Sequence, residues 1–380
     1  MPPAFSSTKQ AAAFALLLLF LIAAPVLLGK RYLPPREQAW ASIGWGFGDY
    51  PWIEKQIFQK TNDADIVFLG SSHMWWGIDP VYVRDKLKEQ TGREPVVLSL
   101  TWSGPGFDTE YFVIRDLLNH RRVKTLVIYD EFTSSQPMPI TQNAMAPHWF
   151  RWGDDGADLN GLSLREKSVY YFAAVIGAPI SIVQWATSSY PLLPATYQLP
   201  ANSFESRLRA PNPETTLGSL SSRLIFDPKN PNIPFDTYIP FDTYSPTNGV
   251  SPDEVCLYRP GATTNFTFSN RPVPEWQNHF AEGIGALVRS HGCKLVVLHL
   301  PTVAEKNEST MKETRNWPEY FQTDAIMMGI PGDRFFRGLS DVDVLKLYHD
   351  PGHFNENGQK YFTALITPAL LKLHENQHTR

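Results

Sequence analysis

The chain has 380 residues, of which 43% are hydrophobic and 19% charged, which is enough apolar material for one large core or two modest ones. The formal net charge is −4 and no basic stripe with interleaved aromatic residues occurs, so nucleic acid is not an expected partner. The 32 prolines crowd the middle third of the chain and predict long ordered loops there.

The first predicted element is an apolar segment near the amino terminus. Residues 11–29 carry no charge and could cross about 30 Å of hydrocarbon. A cleaved signal peptide is the alternative, but the run is longer than a typical signal core and no A-x-A site follows it. We therefore predict an uncleaved anchor with short flanks at 1–31. The flanking basic residues do not set its orientation, and we expect the domain behind it to be extracytoplasmic.

Three β-α units follow a polar connector at 32–62. Each begins with a short and almost continuous apolar run, as expected for a strand buried on both faces. The predicted strands lie at 66–69, 95–100 and 123–129, and the predicted helices at 80–89 and 108–118. This alternation predicts a parallel sheet covered by helices.

The alternation of predicted strands and helices stops at about residue 135 and resumes after about residue 271. This interval contains one apolar helical segment at 169–186, proline-rich loops, and two adjacent copies of Pro-Phe-Asp-Thr-Tyr at 234–238 and 240–244. We predict an insertion of low helical content that forms a lid or a docking face. A local duplication without function is the alternative for the repeated pentapeptide.

The β-α pattern resumes in the carboxyl-terminal part. An amphipathic helix is predicted at 276–291, a strand at 294–300 and a last helix at 356–373. Asn355 precedes that helix and is a suitable N-cap.

The two cysteines, Cys256 and Cys293, permit one disulfide in an oxidising compartment, but two buried thiols are equally natural. Neither has a neighbour at metal-ligand spacing, and we expect no metal and no other cofactor.

The first strand ends in Gly70-Ser71-Ser72 shortly before a helix. This arrangement can place a hydroxyl at the carboxyl edge of a sheet, where open α/β folds bind ligands. The alternative is an ordinary turn in which Ser71 or Ser72 caps the next helix.

A second motif precedes the last helix, where Asp350 and His353 lie three residues apart. One short turn can present both side chains to a single site. A carboxylate on one ring nitrogen fixes the tautomer of an imidazole and leaves the other nitrogen to take a proton from serine. Asp350 or another carboxylate could be this partner, and a structural or solvated histidine is the alternative. We predict that the adjoining His73 and His349 are dispensable, because neighbours along a strand or turn usually point elsewhere.

These motifs, together and in this order, resemble the SGNH/GDSL hydrolase superfamily. The resemblance covers 65–131 and 273–373, about half of the chain. It implies that Ser72 is the nucleophile, with Ser71 in the place of the family's aspartate. It also implies that Gly104, in the turn after the second strand, helps to form the oxyanion hole, and that His353 is the base paired with Asp350.

This chain departs from the family's pattern at the third block. The family has Gly-x-Asn-Asp after the third strand, whereas this chain has Tyr129-Asp130-Glu131 and no asparagine. Loss of one oxyanion donor costs about 10²–10³ in rate. Either Thr133 or Ser134 replaces the asparagine, or the activity is slow or absent.

The resemblance implies a three-layer α/β sandwich of flavodoxin-like topology at 63–380, with the insertion at about 135–271 and the amino-terminal transmembrane helix. The Gly-Ser-Ser variant, the anchor and the divergent block are similar to the membrane-anchored branch that acylates cell-envelope polymers. We therefore expect an acyl-ester hydrolase or O-acyltransferase acting on an envelope carbohydrate. The alternative is a non-catalytic binding or assembly subunit that partners a membrane-bound acyltransferase.

Overall fold

The computed structural model describes residues 5–27, 36–37, 50–102, 106–130, 155–172, 250–258, 274–306, 321–322, 324–348 and 352–375. Six strands form one sheet. They are β1 Ala64–Gly70, β2 Val97–Thr101, β3 Val123–Tyr129, β4 Cys256–Tyr258, β5 Lys294–Leu298 and β6 Ile326–Gly329. Their spatial order is β2-β1-β3-β5-β6-β4, and all neighbours are parallel except β4, which pairs antiparallel with β6. The prediction of an α/β fold with a mostly parallel sheet is confirmed.

The helices lie before, between and after these strands. They are α1 Thr8–Leu27, α2 Tyr50–Glu54, α3 Ser72–Gly77, α4 Pro80–Thr91, α5 Phe107–His120, α6 Glu275–Ser290, α7 Gly332–Phe335, α8 Asp341–Leu345 and α9 Glu356–Glu375. A π-helical turn, Lys55–Gln59, continues α2, and short 3-10 turns occur at Gly156–Leu159, Pro252–Glu254 and Val303–Lys306.

Both faces of the sheet are buried, because alternate residues of each parallel strand enter different cores. In β1, Val67 and Leu69 belong to the core that contains α5 and α6. Ile66 and Phe68 belong to the core that contains α4 and α9. Burial on both faces explains why these strands are mostly apolar rather than alternating between apolar and polar residues.

The topology places the end of β1 at the point where the strand order reverses. Numbered among themselves, the five parallel strands have the order 2-1-3-4-5, which is a common doubly wound order. In such sheets ligands bind beyond the carboxyl ends of the strands at the reversal, here between β1 and β3. Gly70 is the last residue of β1 and therefore lies at this point.

The structure corrects two features of the predicted layout. Cys256–Tyr258, inside the predicted insertion, form the antiparallel edge strand of the sheet. Ile326–Gly329 form a strand that the sequence did not predict. Both segments are only three or four residues long, too short for a clear pattern of strand residues, so only their pairing with neighbours reveals them.

The amino-terminal prediction receives no support from the structure. Helix α1 covers much of the apolar segment, and its side chains are described as far as Phe20. Among the residues that can be described, no helix is both long enough and apolar enough to cross a membrane.

Two other predictions fall partly or wholly outside the described residues. The apolar segment predicted at 169–186 is helical as far as residue 172, and the remainder is not described. The repeated pentapeptides also lie outside the described residues.

Both cysteines are free thiols in the structure. Cys256 is half-buried in β4, where a guanidinium nitrogen of Arg334 lies 3.4 Å from its Sγ. Cys293 precedes β5, and burial raises the pKa of its thiol to about 12. Of the two alternatives, the structure contains the unpaired thiols.

Candidate active site

The position of Ser72 is set by the way in which β1 ends. Gly70 has a φ of +153°, and a Cβ at this position would lie 3.3 Å from Glu110 Oε1 and 3.4 Å from the Cβ atoms of Met74 and Tyr129. A side chain at this position would crowd these neighbours and would need an unfavourable φ, and glycine avoids both problems. Ser71 is then the N-cap of α3, and Ser72 is its first residue.

Neither serine acts as a simple cap. The side chain of Ser71 makes no capping hydrogen bond, and its Oγ is buried without a hydrogen-bond partner among the described atoms. The Oγ of Ser72 instead lies beside an imidazole from the other end of the chain. The cap interpretation of the Gly-Ser-Ser motif is therefore wrong for both side chains.

The imidazole belongs to His353, which lies between two paired residues. Tyr348 and Phe354 form an isolated antiparallel bridge, so the chain turns back on itself around the histidine. Asn355 holds both sides of this turn. Its side-chain amide donates to the backbone carbonyls of Lys346, at 2.8 Å, and Tyr348, at 3.3 Å.

Asn355 also begins the last helix. Its Oδ1 accepts hydrogen bonds from the backbone N–H groups of Asn357, at 2.9 Å, and Gly358, at 3.1 Å. The predicted N-cap is confirmed. Gly358 lets α9 approach closely, because a Cβ there would lie 2.1 Å from the carbonyl oxygen of Leu347.

Ser72 Oγ lies 2.8 Å from His353 Nε2, although 281 residues separate the two. This distance is within the range that proton transfer between a hydroxyl and an imidazole requires. A serine hydroxyl donates to Nε2 when the neutral imidazole carries its proton on Nδ1. Both residues are half-buried, so the pair is partly accessible to solvent rather than enclosed in the core.

Helices α3 and α9 are tied together behind this pair. The side-chain amide of the buried Gln359 donates to the carbonyls of Trp75, at 3.1 Å, and Ile78, at 3.0 Å. The backbone N–H of Asp79 donates to Thr363 Oγ1 at 3.0 Å. These contacts fix the helix that begins at the serine against the helix that follows the histidine.

Gly104 and Asp350 lie outside the described residues. Their roles as oxyanion donor and carboxylate partner therefore stay predictions. The segment just before Gly104 lies at the carboxyl edge of the sheet, since the backbone N–H of Trp102 donates to the carbonyl of Gly70 at 3.1 Å.

His73 does not point away from the site, which makes the reason given for its dispensability wrong. Its ring centroid lies 4.3 Å from that of His353 and 4.9 Å from that of Tyr129. The expectation came from the alternation of side chains along a strand, but Ser72 and His73 are in the first turn of a helix. Adjacent residues of a helix differ by about 100° in direction, so both can border one cleft.

A second cluster of charged groups, which was not predicted, lies beyond the ends of β3 and β5. His299 Nδ1 is 2.8 Å from Asp130 Oδ2, and His299 Nε2 is 3.0 Å from Glu305 Oε2. All three side chains are at most 4% exposed. Because each ring nitrogen faces a carboxylate, His299 is held as an imidazolium with two hydrogen-bond donors.

Electrostatics support this protonation state. Burial alone would lower the pKa of His299, but the charges of Glu305 and Asp130 outweigh it and raise this pKa to about 10. Burial also raises the pKa of Asp130 to about 6, despite the opposing effect of His299. A histidine within an apolar strand sequence, followed by Pro-Thr and a glutamate, was the only signal of the cluster in the sequence.

Comparison of the chain with protein-family models and with curated proteins finds no match. Within the described parts of the chain, no group of three or more His, Cys, Asp or Glu side chains is arranged to hold a metal ion.

Proposed function

We propose that this protein is an SGNH-like serine enzyme that transfers or hydrolyses acyl esters. The observation that carries the proposal is the 2.8 Å contact between Ser72 Oγ and His353 Nε2 at the carboxyl edge of the parallel sheet. A hydroxyl at hydrogen-bond distance from an imidazole can be deprotonated as it attacks a carbonyl carbon.

The proposed reaction has two halves. Ser72 Oγ attacks the acyl carbon while its proton passes to His353 Nε2, and the resulting oxyanion is bound by the N–H groups of Ser72 and Gly104. Collapse breaks the bond to the leaving alcohol, which takes the proton from His353. Water or a sugar hydroxyl then attacks the acyl-serine and gives its proton to His353, and the second collapse restores Ser72. Asp350 accepts the hydrogen bond of His353 Nδ1–H in this scheme.

The substrate class comes from the resemblance to the membrane-anchored branch of the superfamily. It is an acylated carbohydrate or another envelope polymer, and the proposed partner is a membrane-bound acyltransferase. Water as acceptor gives hydrolysis, and a sugar hydroxyl gives acyl transfer.

A fluorophosphonate probe and a small acetyl ester test the proposal directly. The purified chain is expected to become covalently labelled at Ser72 and to release acetate, since the probe requires an activated serine rather than a particular acyl acceptor. Mass spectrometry of the labelled peptide identifies the serine. A folded protein that neither reacts with the probe nor turns over the ester would reject the enzymatic proposal.

A non-catalytic subunit is the second candidate, and Asp130 favours it. This residue follows β3, where the family's third block supplies an oxyanion donor, yet its carboxylate binds His299. A protein that binds envelope carbohydrate or a membrane acyltransferase, without probe labelling, would match this candidate.

The extracytoplasmic location stays a prediction of the sequence. It rests on the uncharged run at 11–29 and on the envelope role that the resemblance implies. A reporter enzyme that works only outside the cytoplasm, fused after Arg380, is expected to be active. Activity confined to a cytoplasmic reporter at the same position would contradict the prediction.

A further inference from the structure

The ring of His73 stacks with two other rings. One is Tyr129, with a centroid distance of 4.9 Å and an interplanar angle of 8°. The other is His353, with a centroid distance of 4.3 Å and an angle of 24°. Through His73, the three rings form a stack that links the end of β3 to the histidine that contacts Ser72.

The two ends of this stack are attached differently. Tyr129 is the last residue of β3, is 2% exposed and belongs to the core that contains α4 and α9. His353 is half-buried and follows a glycine in the turn between Tyr348 and Phe354. The stack therefore connects a side chain fixed in the core to one on a more exposed turn.

Stacking supplies an orientation that the hydrogen bond to Ser72 does not. The hydrogen bond between Ser72 and His353 fixes the position of Nε2 but does not by itself fix the plane of the ring. A flat ring packed against its face restricts this rotation. Proton transfer depends on the direction of the nitrogen lone pair as well as on its distance, so the plane of the ring matters for catalysis.

We propose that His73 is a positioning residue, whose ring, held against Tyr129, fixes the plane of His353 so that Nε2 faces Ser72 Oγ. The effect on turnover rests on the proposed function, whereas the effect on the ring of His353 does not. The stack uses the face of the His73 ring and not its nitrogens. A phenyl ring at position 73 should therefore serve as well as the imidazole.

Two variants distinguish the role of the His73 ring face from the role of its ring nitrogens. His73→Ala removes the ring and is expected to lower kcat and kcat/KM together for a small acetyl ester, by about 10- to 100-fold. His73→Phe keeps a flat ring and is expected to restore both constants to within about threefold of the unmodified protein. Fluorophosphonate labelling rates should follow the same order. If His73→Ala does not fold, His73→Leu gives the same comparison with a side chain of similar size that is not flat.

An NMR measurement tests ring placement independently of activity. The ring-proton resonances of His353 should shift and broaden in the alanine or leucine variant and should stay close to their original positions in His73→Phe. If the unmodified protein shows no turnover or labelling, the proposed function fails, and the NMR comparison still decides the positioning role. Equal loss of activity in the phenylalanine and alanine variants would assign the role to the ring nitrogens and overturn the proposal. Unchanged activity and unchanged His353 resonances in both variants would also overturn it.

Discussion

Ser72→Ala is expected to abolish fluorophosphonate labelling and to lower kcat/KM for a small acetyl ester by about 10⁴-fold or more. The substitution removes the oxygen atom that forms the acyl intermediate in the proposed reaction, and it leaves His353 without the hydroxyl that lies 2.8 Å from its Nε2. Steady-state kinetics and labelling of the same preparations measure the effect. Thermal unfolding should be almost unchanged, because Ser72 is half-buried and its backbone still begins α3.

Ser71→Ala is the matched control for this prediction. Ser71 is the preceding residue and also carries a hydroxyl, but that hydroxyl is buried and has no hydrogen-bond partner in the described structure. Its removal leaves no group unsatisfied and should have little effect on stability or labelling. Full activity in Ser72→Ala would contradict the hydrolase proposal, and equal loss in both variants would point to the shape of the turn rather than to the Ser72 hydroxyl.

His299→Leu is expected to have the largest effect on stability. The histidine separates two carboxylates that are almost fully buried, and the change removes the positive charge that contacts both Asp130 and Glu305. Breaking a buried ion pair in this way costs about 3–5 kcal/mol of the free energy of unfolding. Urea denaturation near neutral pH measures the loss. A loss well below 1 kcal/mol would show that the cluster does not carry the charges assigned to it.

The contribution of His299 to the free energy of unfolding should decrease as the pH rises. The pKa of His299 rises from 6.5 to about 10 on folding, so its contribution to stability is full below about pH 6.5 and is lost as the pH rises through about 10. Between these values the stability difference between the unmodified protein and His299→Leu should shrink steadily. A difference that stays constant from pH 7 to pH 10 would mean that His299 is not held as an imidazolium.

His291→Leu is the matched control for this second prediction. His291 lies at the end of α6, its side chain is exposed, and its Nδ1 is 3.0 Å from the carbonyl of Leu287 on the same helix. The same chemical change there should alter the free energy of unfolding by less than about 0.5 kcal/mol.

The buried cluster of His299, Asp130 and Glu305 lies close to the turn that carries His353. The hydroxyl of Tyr348 donates to the carbonyl of Pro301 at 2.5 Å, and Glu305 accepts from the backbone N–H of Thr302 at 2.8 Å. The segment after β5 therefore contacts both the charged cluster and the base of the His353 turn. Loss of stability in His299→Leu should be accompanied by some loss of activity for this reason.

Local sequence determined the elements that carry the candidate site. The strand at 123–129 was predicted with its observed bounds, and the helices before and after the insertion were predicted to within about two residues. Apolar runs and helical periodicity are local properties, and the N-cap role of Asn355 depends only on residues a few positions away. Ser72 and His353 could be selected because each adjoins such an element.

Tertiary structure alone decided which side chains meet. The contact between Ser72 and His353, the stack on His73 and the cluster around His299 each join segments that are distant in the chain. The pairings that make β4 and β6 strands are likewise contacts between separate segments. Periodicity cannot report such contacts, because they depend on strand order and on how α3 and α9 pack over one edge of the sheet. The sequence therefore determined the positions of candidate groups along the chain, and packing of the folded sheet decided their partners.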